Sequence, residues 1–306
     1  MRADTTEEGG AIAARGNWGR WGAEDERGTL NLLTPETVLE AVGSVRSGRV
    51  YALGAPLQRA GVPIFGFRPG PQRLTLYDDR DDVSDGIGAP EGVGATEDLV
   101  SLPTHTATHI DALCHVHDGD TIYNGHPQSG MRPYAGAARC GVQNIRGFAA
   151  RGVLVDLVAA RDGTPLEDGE VIGVGDVQRT LARQGSALRP GDAILLRTGW
   201  LETYLADPAP GEPGPQPGIG VELAEWLGAL DPAAVGADNM AVEAIPLPGQ
   251  ALVPHVELLV NRGVHLMENL VLGELAADAC HEFLLVVSPL LVTGATASPV
   301  NPLAIG

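Results

Sequence analysis

The sequence predicts a mixed α/β fold, a mixed sheet core with flanking helices. Two observations carry this reading. Short apolar runs bounded by turn residues alternate along the chain with segments of helical spacing. No internal repeat and no shift in composition divides the 306 residues, so residues 17–306 are read as one domain behind a flexible tail at residues 1–16.

The elements follow in order. Thr34-Pro-Glu-Thr-Val places Thr at a cap, Pro at the first helical position and Glu at the second, which starts a helix running from about Pro35 to Ser47. Gly152-Val-Leu-Val-Asp-Leu and Asp192-Ala-Ile-Leu-Leu-Arg-Thr read as buried strands, with a helix at Val174 to Gln184 between them. Leu223 to Leu230 reads as a helix and Ala234-Val-Gly-Ala as a strand. Val256 to Arg262 is helical and ends at Gly263, a C-cap; Val264 to Leu272 then reads as a strand, and Phe283 to Ser288 as the last core strand. Asp78 to Asp98 is acidic and Gly-rich and Asp207 to Gly220 holds five prolines, so both read as long loops.

A formal net charge of -19 excludes nucleic acid as a partner, because affinity there comes from cationic side chains neutralising phosphates. A membrane surface is disfavoured for the same reason, and no apolar run reaches the roughly 20 residues that span a bilayer. Cys114, Cys140 and Cys280 form an odd, widely spaced set that suits a reducing cytoplasm, and the acidic N-terminus has no signal-peptide core. The partner left is a small-molecule substrate.

Of eight histidines, four fall between His105 and His117, in Thr-His-Thr-Ala-Thr-His-Ile-Asp-Ala-Leu-Cys-His-Val-His. A flat strand would separate His105 from His109 by about 13 Å, too far for side chains sharing one ion. A straight helix would bring those two together but swing Asp111 to nearly the opposite side. The chain is therefore expected to bend around Ala107, with His109 and Asp111 neighbours on a short extended piece. Two imidazoles and one carboxylate suit Zn²⁺ or Mn²⁺ and leave positions open for water and substrate, a catalytic arrangement. His115 reads as either a fourth ligand or a general base, and Cys114 as a core residue. Trp18 and Trp21, flanked by Gly, are read as an aromatic wall of the substrate pocket or as an arm packed on a partner subunit. His117 is a further pocket candidate. Asp238 and Glu243 are weaker candidates, since acidic residues after a strand often cap a helix.

The run from His105 to His115 resembles the His-x-Gly-Thr-His-x-Asp-x-Pro-x-His motif of the cyclase family of metal-dependent hydrolases, which includes kynurenine formamidases, isatin hydrolase and trans-dienelactone hydrolase. Further blocks resemble the family too: Trp18 to Asn31, Tyr123-Asn-Gly, Gly191 to Trp200, Gly236-Ala-Asp-Asn, His255-Val-Glu-Leu-Leu, Glu268-Asn-Leu and Gly294 to Pro299. The family's Gly is Ala107 here and its Pro is Leu113, a form similar to the family's longer branch. The resemblance implies a swivelling β/β/α domain, metal ligation by His105, His109 and Asp111, an acid/base role for His115, and a second metal site completed by His255 and Glu268. It also implies one or two ions and a homodimer or homotetramer. For His255 a helix start is expected to favour the neutral imidazole.

The activity expected is opening of a lactone, cyclic amide or related bond by metal-activated water. Its rivals are a cyclase or dehydratase acting on a polyketide-like intermediate, and a non-catalytic metal- or ligand-binding protein.

Overall fold

The computed structural model describes residues 16–78, 88–90, 92–208 and 213–306. The expected flexible tail lies, but for Gly16, outside these residues, as do the middles of the acidic and Pro-rich loops. The strands are β1 (Val50–Ala52), β2 (Gln72–Tyr77), β3 (Glu97–Ser101), β4 (His109–Asp111), β5 (Phe148–Asp156), β6 (Val171–Ile172), β7 (Ala193–Arg197), β8 (Gly218–Ile219), β9 (Ala234–Ala237), β10 (His265–Glu268), β11 (Glu282–Val287), β12 (Ala297–Pro299) and β13 (Leu303–Ile305). Nine of them form one large mixed sheet in the order β1-β13-β11-β5-β7-β9-β10-β4-β12.

Four strands at its centre, β5, β7, β9 and β10, run parallel, and antiparallel strands extend the sheet on both sides. The parallel set follows from the sequence. Val153, Leu154 and Val155, Ile194, Leu195 and Leu196, and the whole of β9 are buried, as strands covered on both faces must be. Helices α1 (Pro35–Val42), α2 (Val174–Gln184), α3 (Trp200–Ala206), α4 (Val221–Gly228), α5 and α6 (Gly273–Ala277) complete the fold. Helix α5 opens with one α turn at Val253–His255 and continues as a π-helix over Val256–Arg262, ending at the left-handed Gly263.

Helix α2 has the expected bounds, and α1 has the expected cap, the Thr34 hydroxyl accepting from Thr37 N. It stops at Val42 rather than near Ser47, however. The amides of Gly43, Ser44 and Val45 each bond a carbonyl three residues back, so the chain tightens into turns. The strand read at Val264 to Leu272 is cut to four residues, because Asn269 takes a left-handed φ of 55° and ends the ladder. The core does not end at Phe283 to Ser288 either, since β12 and β13 follow, each only three residues long and too short to show a period.

Both loops read as irregular carry strand at an end. Glu97–Ser101 pairs with Gln72–Tyr77 in a two-stranded hairpin whose charged rim includes an Arg73–Asp98 ion pair of 2.6 Å. Gly218–Ile219 pairs with β6. The C-terminal end of β7 is fixed by a buried carboxylate: Asp238 accepts from Thr198 N at 2.9 Å, Thr198 Oγ1 at 2.6 Å and Gly199 N at 2.7 Å. Asp238 thus anchors the turn into α3, and burial pushes its carboxyl up to about 6 against those bonds. No helix among the described residues is long and apolar enough to cross a membrane.

Removing that acceptor strands buried donors. Asp238→Ala is expected to cost about 3 kcal/mol, since each unpaired buried group forfeits its solvation. Urea unfolding checks this; a loss within ordinary surface scatter would mean the turn relaxes to find water.

Candidate functional site

Strand β4 is just long enough to put two side chains on one face, and these are His109 and Asp111. It lies between β10 and β12, where Glu268 is the register partner of His109 and Ala297 that of Asp111. Paired residues share a face, so Glu268 joins the two, its Oε2 3.0 Å from His109 Nε2.

His105 reaches the same point because the chain bends where the sequence places the bend. Ala107 takes φ 52°, a left-handed conformation that costs a residue with a Cβ about 1 kcal/mol or more. Its carbonyl accepts from His109 Nδ1 at 2.8 Å and from Asn269 Nδ2 at 3.1 Å. The reversal sets His105 Nδ1 2.9 Å from Asp111 Oδ1, with His105 Nε2 3.0 Å from Thr296 Oγ1. Helix α5 delivers His255 from the other side. Its Nε2 lies 3.4 Å from Glu268 Oε1 and 4.0 Å from Asp111 Oδ2, while its Nδ1 faces Glu243 Oε2 at 3.4 Å.

Two triads result, His105–His109–Asp111 and Asp111–His255–Glu268, each with ligand atoms within 4.8 Å of one another, and Asp111 belongs to both. Such spacing fits a divalent cation, for ligands at ~2.1 Å in tetrahedral array stand roughly 3.4 Å apart. His109 Nε2 and both Asp111 oxygens are buried and make only close contacts to other triad atoms, none with hydrogen-bond geometry, so they are spare for coordination. The remaining ring nitrogens of His105 and His109 are committed to Thr296 and the Ala107 carbonyl, which fixes ring orientation.

The electrostatics follow from burial among mixed charges. Burial alone would raise the Asp111 carboxyl, but His115, His105 and His109 around it outweigh that and hold it well below the usual carboxylate range. His255, expected to be neutral at a helix start, faces two carboxylates that favour a cation there, whether a proton or a bound metal ion. Burial lowers His255, yet the hydrogen-bonding carboxylates of Glu243 and Glu268 prevail and push it up to about 10. His115 goes the other way, burial driving it down to about 4 despite Asp111. Its ring lies 4.0 Å from that of His105 and 6.2 Å from that of His255, beside the triads rather than within either.

His255 and Glu268 of the second triad line a cavity of about 720 Å³ together with His115, His117 and Glu243, while His105, His109 and Asp111 lie behind that wall. Trp18 and Trp21 are not among its walls. The backbone at Gly16 and Gly28 packs tightly on Asn261 and Gly263, which draws the N-terminal segment onto the end of α5. There Trp18 donates to the Val260 carbonyl at 2.6 Å, and Trp21 lies under the Arg20 guanidinium. The aromatic wall comes instead from Phe65 and Phe67, stacked 5.6 Å apart with Arg68 beside them. Nothing in the sequence flags these three, which carry no motif and sit about forty positions from the histidines. His265, which stands outside the quoted motifs, holds the Asp111 carbonyl through Nδ1 at 2.8 Å. Cys114 points to the core, as expected, its thiol toward the Ala295 carbonyl.

The sequence pattern of the family described as "Putative cyclase" matches residues 7–244, well over half of the chain. The chain belongs to the cyclase family. The matched span contains His105, His109, Asp111 and His115 and stops short of His255 and Glu268. Among solved structures, a novel cyclase is 35% identical and superposes with a TM-score of 0.87, covering 95% of this chain and 98% of its own. Isatin hydrolase A from Labrenzia aggregata, bound to benzyl benzoate, is 20% identical with a TM-score of 0.62 over 86% of this chain and 94% of its own. A predicted metal-dependent hydrolase from Bacillus stearothermophilus is 21% identical with a TM-score of 0.53 over 84% and 97%. The last two share the cyclase-family fold with this chain. No curated protein sequence matches it. Family membership together with the His/Asp/Glu triads supports, at the coarse level, a metal-dependent hydrolase.

The bend at Ala107 is the joint on which the first triad turns. Ala107→Val puts a β-branched residue at a positive φ in a fully packed spot, and it is expected to cost about 2 kcal/mol and to lower metal content. Calorimetric unfolding and elemental analysis of the purified variant check both; full metal content would show that His105 does not depend on this bend.

Proposed function

We propose that this cyclase-family chain is a metal-dependent hydrolase that opens a lactone, a cyclic amide or a related ester or amide bond in a small cyclic or aromatic substrate. The observation that carries the reading is a pair of triads sharing Asp111, the second of which contributes His255 and Glu268 to a cavity wall that also holds His115, a histidine neither triad uses. His105, His109 and Asp111 would hold one ion, and Asp111, His255 and Glu268 a second. Imidazoles and carboxylates suit Zn²⁺ and Mn²⁺ alike. When bound, a divalent cation supplies Lewis acidity that makes water nucleophilic near neutral pH and polarises a carbonyl.

The chain's own residues do the rest. His115 is neutral near pH 7, because burial holds its conjugate acid down at about 4, so it can accept a proton from the attacking water and hand it to the leaving oxygen or nitrogen. Glu243, facing His255 Nδ1, turns the other nitrogen toward the triad. Phe65, Met240, Ile245 and Val256 give the cavity apolar walls that receive a planar ring and exclude bulk water. The fold likeness to isatin hydrolases adds support, since isatin is a cyclic amide fused to an aromatic ring.

Assaying a panel of lactones, cyclic imides and aryl formamides with and without chelator tests the proposal. Turnover is expected to vanish with the metal and to return on adding Zn²⁺ or Mn²⁺; undiminished turnover in a verified metal-free preparation would sink the mechanism. Asp111→Ala should lose metal from both triads, whereas His115→Ala should keep its metal and lose about 10² to 10⁴ in kcat. Metal and activity falling together in His115→Ala would make that residue a ligand instead.

A further inference from the structure

The cavity wall carries an arginine, Arg68, that the hydrolytic reading leaves idle. Among the described lining residues Arg68 is the only arginine or lysine, and it makes no ion pair with any described carboxylate, although Glu243 and Glu268 line the same cavity. Its position is set from two sides. One terminal N–H donates to the His105 carbonyl at 2.9 Å, and the guanidinium carbon lies 5.3 Å from the ring centres of both Phe65 and Phe67. A guanidinium has five donors, so that carbonyl leaves most of them available in a planar fork.

Each part of this arrangement fits one kind of ligand. The phenyl stack and the hydrogen bond restrict the side chain before anything binds, so little rotamer freedom is left to lose on binding. A forked guanidinium matches a carboxylate bidentately, and a charge-assisted pair strengthens in a partly enclosed site. The contact is to the backbone carbonyl of His105, whose ring belongs to the first triad, so the charge stands beside the triads without being part of either. Arg68 is thus placed to meet a second group of the substrate, not the bond that breaks.

We infer that Arg68 is a specificity-determining residue that selects substrates carrying a carboxylate on a planar apolar body, apart from the carbonyl that is attacked. This rests on the hydrolytic reading of the same cavity. On that reading the product carries two carboxylates, one newly formed at the triads and one held by Arg68. A benzenedicarboxylate therefore mimics the product where benzoate mimics half of it.

Binding separates the inference from the chemistry. Benzoate and the ortho, meta and para benzenedicarboxylates are titrated calorimetrically into metal-loaded wild type, Arg68→Gln and Arg68→Met, with metal content measured in each. At least one dicarboxylate is expected to bind the wild type about tenfold tighter than benzoate, a usual worth for a well-placed charge pair. Both variants should erase that advantage while keeping their metal and their affinity for benzoate. Equal binding of all four acids by wild type, an advantage that survives in the variants, or a loss that tracks lost metal would overturn the inference. The last of these would reduce Arg68 to a prop for His105. The expected binding pattern with no hydrolysis of any lactone or amide would leave Arg68 as an anion receptor and remove the hydrolase reading alone.

Discussion

A carboxylate taken wholly out of water must be met by positive charge, and Asp111 imposes that demand on everything around it. The residue has no solvent exposure, and its oxygens meet only the imidazoles around them, without a hydrogen bond of good geometry. An isolated buried carboxylate would cost several kcal/mol or would take up a proton. The fold answers with imidazoles from three directions: His109 two residues earlier on the same strand, His105 across a reversed backbone, and His255 from the start of a helix. Sheet, bend and helix converge on one side chain. The membership of Asp111 in both triads means that the second comes together only once β10 has paired with β4.

How far the sequence foretold this depends on the range over which each signal acts. The buried strands β5, β7 and β9 were legible because an unbroken apolar run needs no partner to be recognised, and α2 because eleven residues give helical spacing room to show. The run from His105 to Asp111 was legible as chemistry for the same local reason: its spacing fitted neither strand nor helix, and only a bend at Ala107 reconciled it with a shared ion. Three-residue strands such as β12 and β13 have no period to read. The β2–β3 hairpin was hidden by its composition, for its residues are almost all exposed and charged at the rim, so it looked like part of the acidic loop it borders.

The cavity walls were the least legible part. Phe65, Phe67 and Arg68 reach the histidines only through the path of the intervening chain, and nothing local marks them. Trp18 and Trp21 gave the opposite error. Their aromatic character suggested a pocket, but close backbone contact of Gly16 with Asn261 and of Gly28 with Gly263 decides where that segment lies.

The division of labour between strands and loops has an evolutionary consequence. Three of the triad side chains stand on β4 and β10, strands paired on both sides deep in the sheet, where a change of residue disturbs register as well as chemistry. The walls that meet the rest of a ligand come from irregular segments around Phe65 to Arg68, His117 and Ala241 to Leu252, where insertions and replacements are borne without touching the ladder. A lineage built this way can wander widely in what it recognises while its inorganic chemistry stands still, and homologues that differ most along these segments should differ most in diet.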